Sequence, residues 1–320
     1  MEIAAGVHRI ATPLGDRRCD VYLFVGDERA LLFDAGVAGS VIDFVLPELE
    51  RLGLAPEFVS HVVLSHCDVD HYGSLGEVRT ALPAATTVAH AADAALMENF
   101  DAYLAGRGRP FRSGYDIDDT PEGLAWLREV TGEGPVELRV EGGESIDLGG
   151  RHVQLVAVPG HSRGHLALRD DSAGLWAISD AVLGTAVPLA DGTAAFPPTY
   201  RHVAEYRAAI ALVRAARPAV LATAHYGVFE GADADKFLTS SLDFTYLLEA
   251  RVLAAVRRAG PEGTSVARLL DDVDATVGDW RHPAPPNALA FPVIGHLEEL
   301  AARGMVRLDL TTSPAAVRVL

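Results

Sequence analysis

Cysteine occurs only twice in the 320 residues, as Cys19 and Cys67, so a disulfide framework is excluded and a hydrophobic core must hold the fold. No run of about 18 apolar residues is present, which argues against a membrane-spanning helix. The opening Met1-Glu2-Ile3-Ala4-Ala5-Gly6 lacks the basic and apolar regions of a secretory leader. These absences lead us to expect a soluble, cytoplasmic protein. Positive charge is scarce, with 27 Lys and Arg against 44 Asp and Glu and a formal net charge of −17. Such a surface repels phosphate backbones and anionic membranes at long range. A small-molecule substrate is therefore expected, with neither nucleic acid nor membrane as partner.

The hydrophobic share of 49% allows a sizeable core. Apolar runs broken by turn signals predict strands at 7–11, 21–25, 30–36, 61–64, 87–89, 136–140, 152–158, 175–179 and 220–223. Helical spacing predicts helices at 39–52, 74–81, 91–104 and 202–216, and one that starts at Thr120-Pro121-Glu122. Residues 105–120, rich in glycine and charge, read as an irregular loop within an insert spanning about 91–132. Strands mixed with helices in this order predict helices packed outside a sheet sandwich. From about 238 the pattern turns helical (238–259, 264–275, 289–303), interrupted by the linker Pro283-Ala284-Pro285-Pro286. This divides the chain into a catalytic domain, 1–237, and a winged-helix-like appendage, 238–320.

The segment Ser65-His66-Cys67-Asp68-Val69-Asp70-His71-Tyr72-Gly73 offers four candidate metal ligands directly after a buried strand. Imidazole and carboxylate donors suit borderline and hard divalent metals. His161 in Val158-Pro159-Gly160-His161, Asp180 after 175–179 and His225 after 220–223 each end a strand as well. All of them can therefore meet on one rim of a sandwich.

In order and context these residues resemble the metallo-β-lactamase superfamily, whose usual first motif is His-x-His-x-Asp-His. The resemblance covers roughly residues 7–230 and implies a four-layer αββα sandwich. It assigns His66 and His161 to a first metal site, Asp70, His71 and His225 to a second, and Asp180 to both. Asp68 stands where the family usually has its second histidine and is expected to ligate the first metal. The implied cofactors are two divalent ions, zinc first, with iron or manganese admitted by the harder Asp68.

The implied chemistry is hydrolysis of an ester, lactone or thioester by a metal-bridging hydroxide. Asp70 is expected to handle the nucleophile's proton, and Tyr226 to donate to a developing oxyanion. His165 reads as supporting rather than ligating, and Cys67 as no nucleophile. Aromatics of the insert (Phe100, Tyr103, Phe111, Tyr115 and Trp126) would make an apolar lid. The rivals are an iron-dependent redox enzyme on the same scaffold and, behind it, a phosphodiesterase or nuclease. Residues 241–320 hold eight arginines against ten acidic residues, which disfavours a nucleic-acid module. Homodimerisation or covering the active site fits that tail better.

Overall fold

A computed structural model describes residues 1–281 and 284–320 of the chain; His282 and Pro283, the latter within the expected proline linker, lie outside the described residues. Two sheets face each other. One has seven strands in sequence order, from Glu2–Ala4 to Leu138–Val140, with its first four strands antiparallel and its last four, Ala30–Phe33 onward, parallel. The other has six, ordered Val228–Glu230, Val220–Thr223, Leu175–Ser179, Leu166–Asp170, His152–Ala157 and Ser145–Asp147.

The two-residue period of a strand divides its side chains between two cores. Tyr22, Phe24, Leu31, Phe33 and Val63 point between the sheets, against Leu155, Leu166, Leu168 and Ala177 of the other sheet. Val21, Leu23, Leu32 and Val62 point outward, under Val41, Val45, Leu49 and Leu75 of the first helical layer. On the opposite side Trp176, Ile178 and Leu221 pack under Tyr206, Ile210 and Val213 of the helix Val203–Ala216. Helix, sheet, sheet and helix form the four expected layers, and both faces of each central strand are covered.

Several elements depart from the expected spans. The helix expected over 91–104 breaks into Ala91–Met97 and Phe100–Tyr103, because the Asn99 side chain accepts the Ala102 N–H at 2.8 Å and starts a new helix. The expected loop contains a π-turn, Leu104–Gly108, and a helical turn, Arg112–Tyr115. Thr120 caps Pro121–Glu129 as its sequence suggests, accepting the Gly123 N–H at 3.1 Å. The helix Gly231–Arg258 runs through the expected domain boundary at 237/238, since no proline and no interior glycine interrupts it. After it come Thr264–Ser265, the helices Val266–Asp274 and Pro286–Ala302, and the strands Val306–Asp309 and Ala316–Val319; the three strands pair as one small sheet.

Candidate metal centre

All seven predicted ligands meet at one rim. The strand Val59–Val63 delivers His66, and the short helix Val69–Tyr72 turns Asp70 and His71 back toward it. From the second sheet, Asp180 follows Leu175–Ser179 and His225 follows Val220–Thr223. His161 sits in the loop before Leu166–Asp170. Gly160 at the root of that loop has φ +143°, and a Cβ there would lie 2.4 Å from the Tyr206 backbone, so only glycine lets the loop pass.

Three overlapping groups of donor atoms result, each within 4.8 Å: Cys19, Asp70, His71 and His225; His66, His71 and Asp180; and His66, Asp68 and His161. Around His225, Nε2 lies 3.2 Å from Asp180 Oδ2 and 3.5 Å from Asp70 Oδ2. His71 Nε2 lies 3.5 Å from Asp180 Oδ2 and 3.7 Å from Asp70 Oδ1. The far nitrogens are anchored, His71 Nδ1 on Asp34 Oδ2 at 2.9 Å and His225 Nδ1 on the Arg18 carbonyl at 2.7 Å. Such anchors set the tautomer that leaves Nε2 free for an ion. Asp180 Oδ1 is buried and has no hydrogen-bond partner, as suits a carboxylate that faces a cation. The donor set fits a divalent metal.

Charge around His71 and His225 follows from their crowding. Burial opposes a proton on His71, but the carboxylates of Asp70, Asp180 and Asp34 outweigh it and raise the imidazole well above its ordinary value. Burial likewise opposes charge on His225, and Asp180 and Asp70 raise it. For Asp180, burial is outweighed by His225 and His71, which hold the carboxyl well below the usual range. The Cys19 thiol is pushed up to about 12, chiefly by burial, and stays neutral.

The group of His66, Asp68 and His161, the expected first metal site, is arranged differently. His66 and His161 face each other through Nε2 at 3.1 Å, and Asp68 Oδ2 lies 2.9 Å from His161 Nε2. Arg107, buried and contributed by the π-turn of the insert, reaches into this cluster. It donates to both oxygens of Asp68, from Nε at 2.5 Å and Nη2 at 2.7 Å. Burial raises Asp68, but Arg107 outweighs it and holds the carboxyl well below its ordinary value. His161 is pushed down to about 4 by burial and then by the Arg107 charge, so it is a neutral imidazole.

Supporting residues that sequence reasoning missed are Asp34, Asp93 and Arg107. Asp34 accepts the Ser65 N–H at 2.7 Å and the Ser179 hydroxyl at 2.8 Å, besides His71. Its φ is +66° and that of Ser179 is +46°, so left-handed backbone is stored on both sides of the centre. Asp93 accepts the Gly164 N–H at 2.8 Å and the Cys67 N–H at 3.3 Å, which ties the His66 and His161 loops together. His165 stacks on His66 at 4.6 Å with both ring nitrogens unpartnered. Burial raises the Cys67 thiol well above its ordinary value. Tyr226 does not take the expected position: its hydroxyl donates to the Leu183 and Ala186 carbonyls, bracing the loop after Asp180, and it lines no part of the cavity.

A cavity of about 180 Å³ opens onto Asp70, Asp180 and His225. Trp126, Leu127, Val187 and Phe196 supply apolar wall, with Tyr103 and Arg107 of the insert beside them. Arg17, Asp119 and Thr199 add polar wall, and Asn287 and Phe291 of the helix Pro286–Ala302 lie on the cavity too, so the terminal unit borders the site. Phe291 packs on Phe111 of the insert, ring centroids 4.9 Å apart, and lies 4.4 Å from the Arg107 guanidinium.

With this geometry in view, known proteins give a consistent answer. A sequence model of the metallo-beta-lactamase superfamily matches residues 14–225. The metallo-beta-lactamase fold-containing protein ST1585 of Sulfurisphaera tokodaii is 28% identical over 182 residues, 53% of this chain and 62% of that protein. The probable metallo-hydrolase YqgX of Bacillus subtilis is 27% identical over 157 residues, 48% of this chain and again 62% of that protein. The matched chain thus spans about three fifths of each of these two relatives. Among solved structures, the metallo-beta-lactamase family protein TTHA1429 of Thermus thermophilus superimposes with a TM-score of 0.74 at 18% identity, covering 100% of both chains. A beta-lactamase domain protein of Burkholderia ambifaria does so with a TM-score of 0.68 at 18% identity, over 100% of this chain and 93% of that one. Family match, layer order and the convergence of ligands on one rim agree, and the chain belongs to the metallo-beta-lactamase superfamily.

Proposed function

We propose that the chain is a metal-dependent hydrolase that cleaves an ester, lactone or thioester. The observation that carries this reading is the cavity whose base is made of Asp70, Asp180 and His225 and one side of whose wall is apolar, from Trp126, Leu127, Val187, Phe196 and Phe291. Asp70, His71 and His225 would hold one divalent ion, joined by Asp180, whose Oδ2 lies 3.2 Å from His225 Nε2 and 3.5 Å from His71 Nε2, and His66, Asp68 and His161 form the other donor group. Zinc suits these donors first, and iron or manganese are admitted. Bound ions of this kind acidify water and polarise a carbonyl.

The residues divide the remaining work. Trp126, Leu127, Phe196 and Phe291 would seat the acyl part of the substrate and exclude water. Asp70 lies at the base of the cavity with an oxygen 3.5 Å from His225 Nε2, placed to orient the attacking water and take its proton. Arg107 lines the same cavity with its guanidinium paired to Asp68. We read the terminal group as a winged-helix-like appendage that walls the site, rather than one that binds nucleic acid.

The relatives named metallo-hydrolases support the hydrolytic reading over a redox one. The case for iron rests on an additional carboxylate ligand at Asp68, and Arg107 engages both of its oxygens. The experiment is a substrate panel on zinc-loaded protein: an aryl ester, a lactone, a thioester and a phosphodiester, with oxygen uptake on ferrous iron as a separate arm. Turnover of a carbonyl substrate is expected. Faster cleavage of the phosphodiester, or oxygen uptake without hydrolysis, would overturn the proposal.

A further inference from the structure

Arg107 presents its guanidinium to four acceptors in the group of His66, Asp68 and His161. Besides the two oxygens of Asp68 it reaches the His161 carbonyl from Nη1 at 2.9 Å and His161 Nε2 from Nη2 at 2.9 Å. A guanidinium only donates and a carboxylate only accepts, so His161 Nε2, 2.9 Å from both Arg107 Nη2 and Asp68 Oδ2, either turns its lone pair to Arg107 or gives its proton to Asp68. In neither case is a lone pair on that nitrogen open to a metal at His66, Asp68 and His161. An imidazole nitrogen has a single lone pair, so it faces Arg107 or an ion and never both. A divalent ion there would also stand against a fixed positive charge in a setting with little water to screen it.

The guanidinium is held in place. Phe291 lies 4.4 Å from it, and Tyr103, the residue before the π-turn, is buried. Gly108 closes that turn so tightly that a Cβ there would meet the Tyr103 ring at 2.9 Å. Asp68, the carboxylate that replaces the family's usual histidine, is the residue that receives the bidentate grip.

We propose that Arg107 takes the place of an ion among His66, Asp68 and His161. In this conformation the chain holds one divalent ion, on Asp70, His71, Asp180 and His225, and accepts a second only when Arg107 withdraws from Asp68. The proposal rests on reading these side chains as metal ligands and does not depend on which bond is hydrolysed.

Metal-free full-length protein is equilibrated with zinc, desalted and analysed for zinc per chain, and stepwise affinities are taken from a calorimetric titration. Wild type is expected to retain one ion and Arg107→Met two, with second-ion affinity about 100-fold or more weaker in wild type. Arg107→Lys keeps the charge but not the bidentate grip, and should bind the second ion with affinity between the two. Two ions held tightly by wild type, or equal counts in wild type and Arg107→Met, overturn the proposal. Anomalous scattering from wild-type crystals keeps it decisive if the methionine variant does not fold: an ion among His66, Asp68 and His161 sinks it. Failure of every protein to retain zinc would remove the metal reading itself, and this inference with it.

Discussion

Asp34 and His71, 37 residues apart in the chain, share a buried hydrogen bond of 2.9 Å between Oδ2 and Nδ1 that turns the imidazole's other nitrogen toward Asp70 and Asp180. Removing it lets the ring rotate and makes it a poorer ligand. Asp34→Ala is expected to weaken zinc binding about 10–100-fold. Competition against a chelator of known affinity measures this, with the melting temperature of the metal-free variant as a check on folding. A folded variant of wild-type affinity would limit Asp34 to a structural role.

Metal uptake should release protons. His71 and His225 are both raised above the ordinary histidine value, so in the metal-free protein they keep their protons at a pH where a free histidine has lost its own. Ligation needs the neutral ring, and affinity therefore falls as pH falls through those raised values. His161, pushed down to about 4, has no proton to lose near neutrality. Calorimetry in two buffers of different ionisation enthalpy should show about one to two protons released per ion. An enthalpy independent of buffer would contradict the prediction.

Acid should loosen the terminal unit through His296. This residue accepts from or donates to the Tyr200 hydroxyl at 2.9 Å and is pushed down to about 3, first by burial and then by Arg207. Its folded value lies below the unfolded 6.5, so the unfolded chain takes up the proton first. The associated stability is present above about 6.5 and is lost as pH falls toward about 3, up to about 5 kcal/mol in all. His296→Gln keeps a polar partner for Tyr200 without the titration. Urea midpoints at neutral pH and near pH 4.5 should therefore differ less in the variant; an equal difference assigns the acid sensitivity to other groups.

Phe291→Ala removes the ring that packs on Phe111 and covers Arg107. A loss of about 1–3 kcal/mol in stability is expected, together with a higher KM for acyl substrates and faster proteolysis inside the insert. Unaltered KM and unaltered cleavage would mean that the terminal helix only borders the cavity.

What the sequence made legible follows from where its signals are local. His66, Asp180 and His225 each follow an apolar strand closely, so they can meet at one rim, while Asp70 and His71 are turned there by the helix Val69–Tyr72 and were legible through the family's motif. Arg107 carries no such mark. Its partner Asp68 lies 39 residues away, and an arginine among glycines reads as a solvated loop residue until the tertiary fold buries it. Asp34 had a readable cue, an acidic side chain between the buried Phe33 and the left-handed Gly36, but its function depends on Ser179, 145 residues on. Tyr226 misleads in the other direction: adjacency to His225 suggests the cavity, while alternation along the chain sends its ring under the loop at 183–186.

The helix Gly231–Arg258 sets a mechanical condition on all of this. One unbroken rod seats Phe237 and Leu238 in the same packed cluster that takes Leu248, Val252 and Val256, so the two ends of the chain share a beam and not a joint. Bending it at the expected boundary would break backbone hydrogen bonds in mid-span, with no proline or glycine to relieve the strain. Rocking of one half against the other is thereby suppressed. The insert is built otherwise, from short helices that break at Asn99 and again at the π-turn, so its hold on the cavity comes from packing such as Phe111 on Phe291 and not from a continuous backbone.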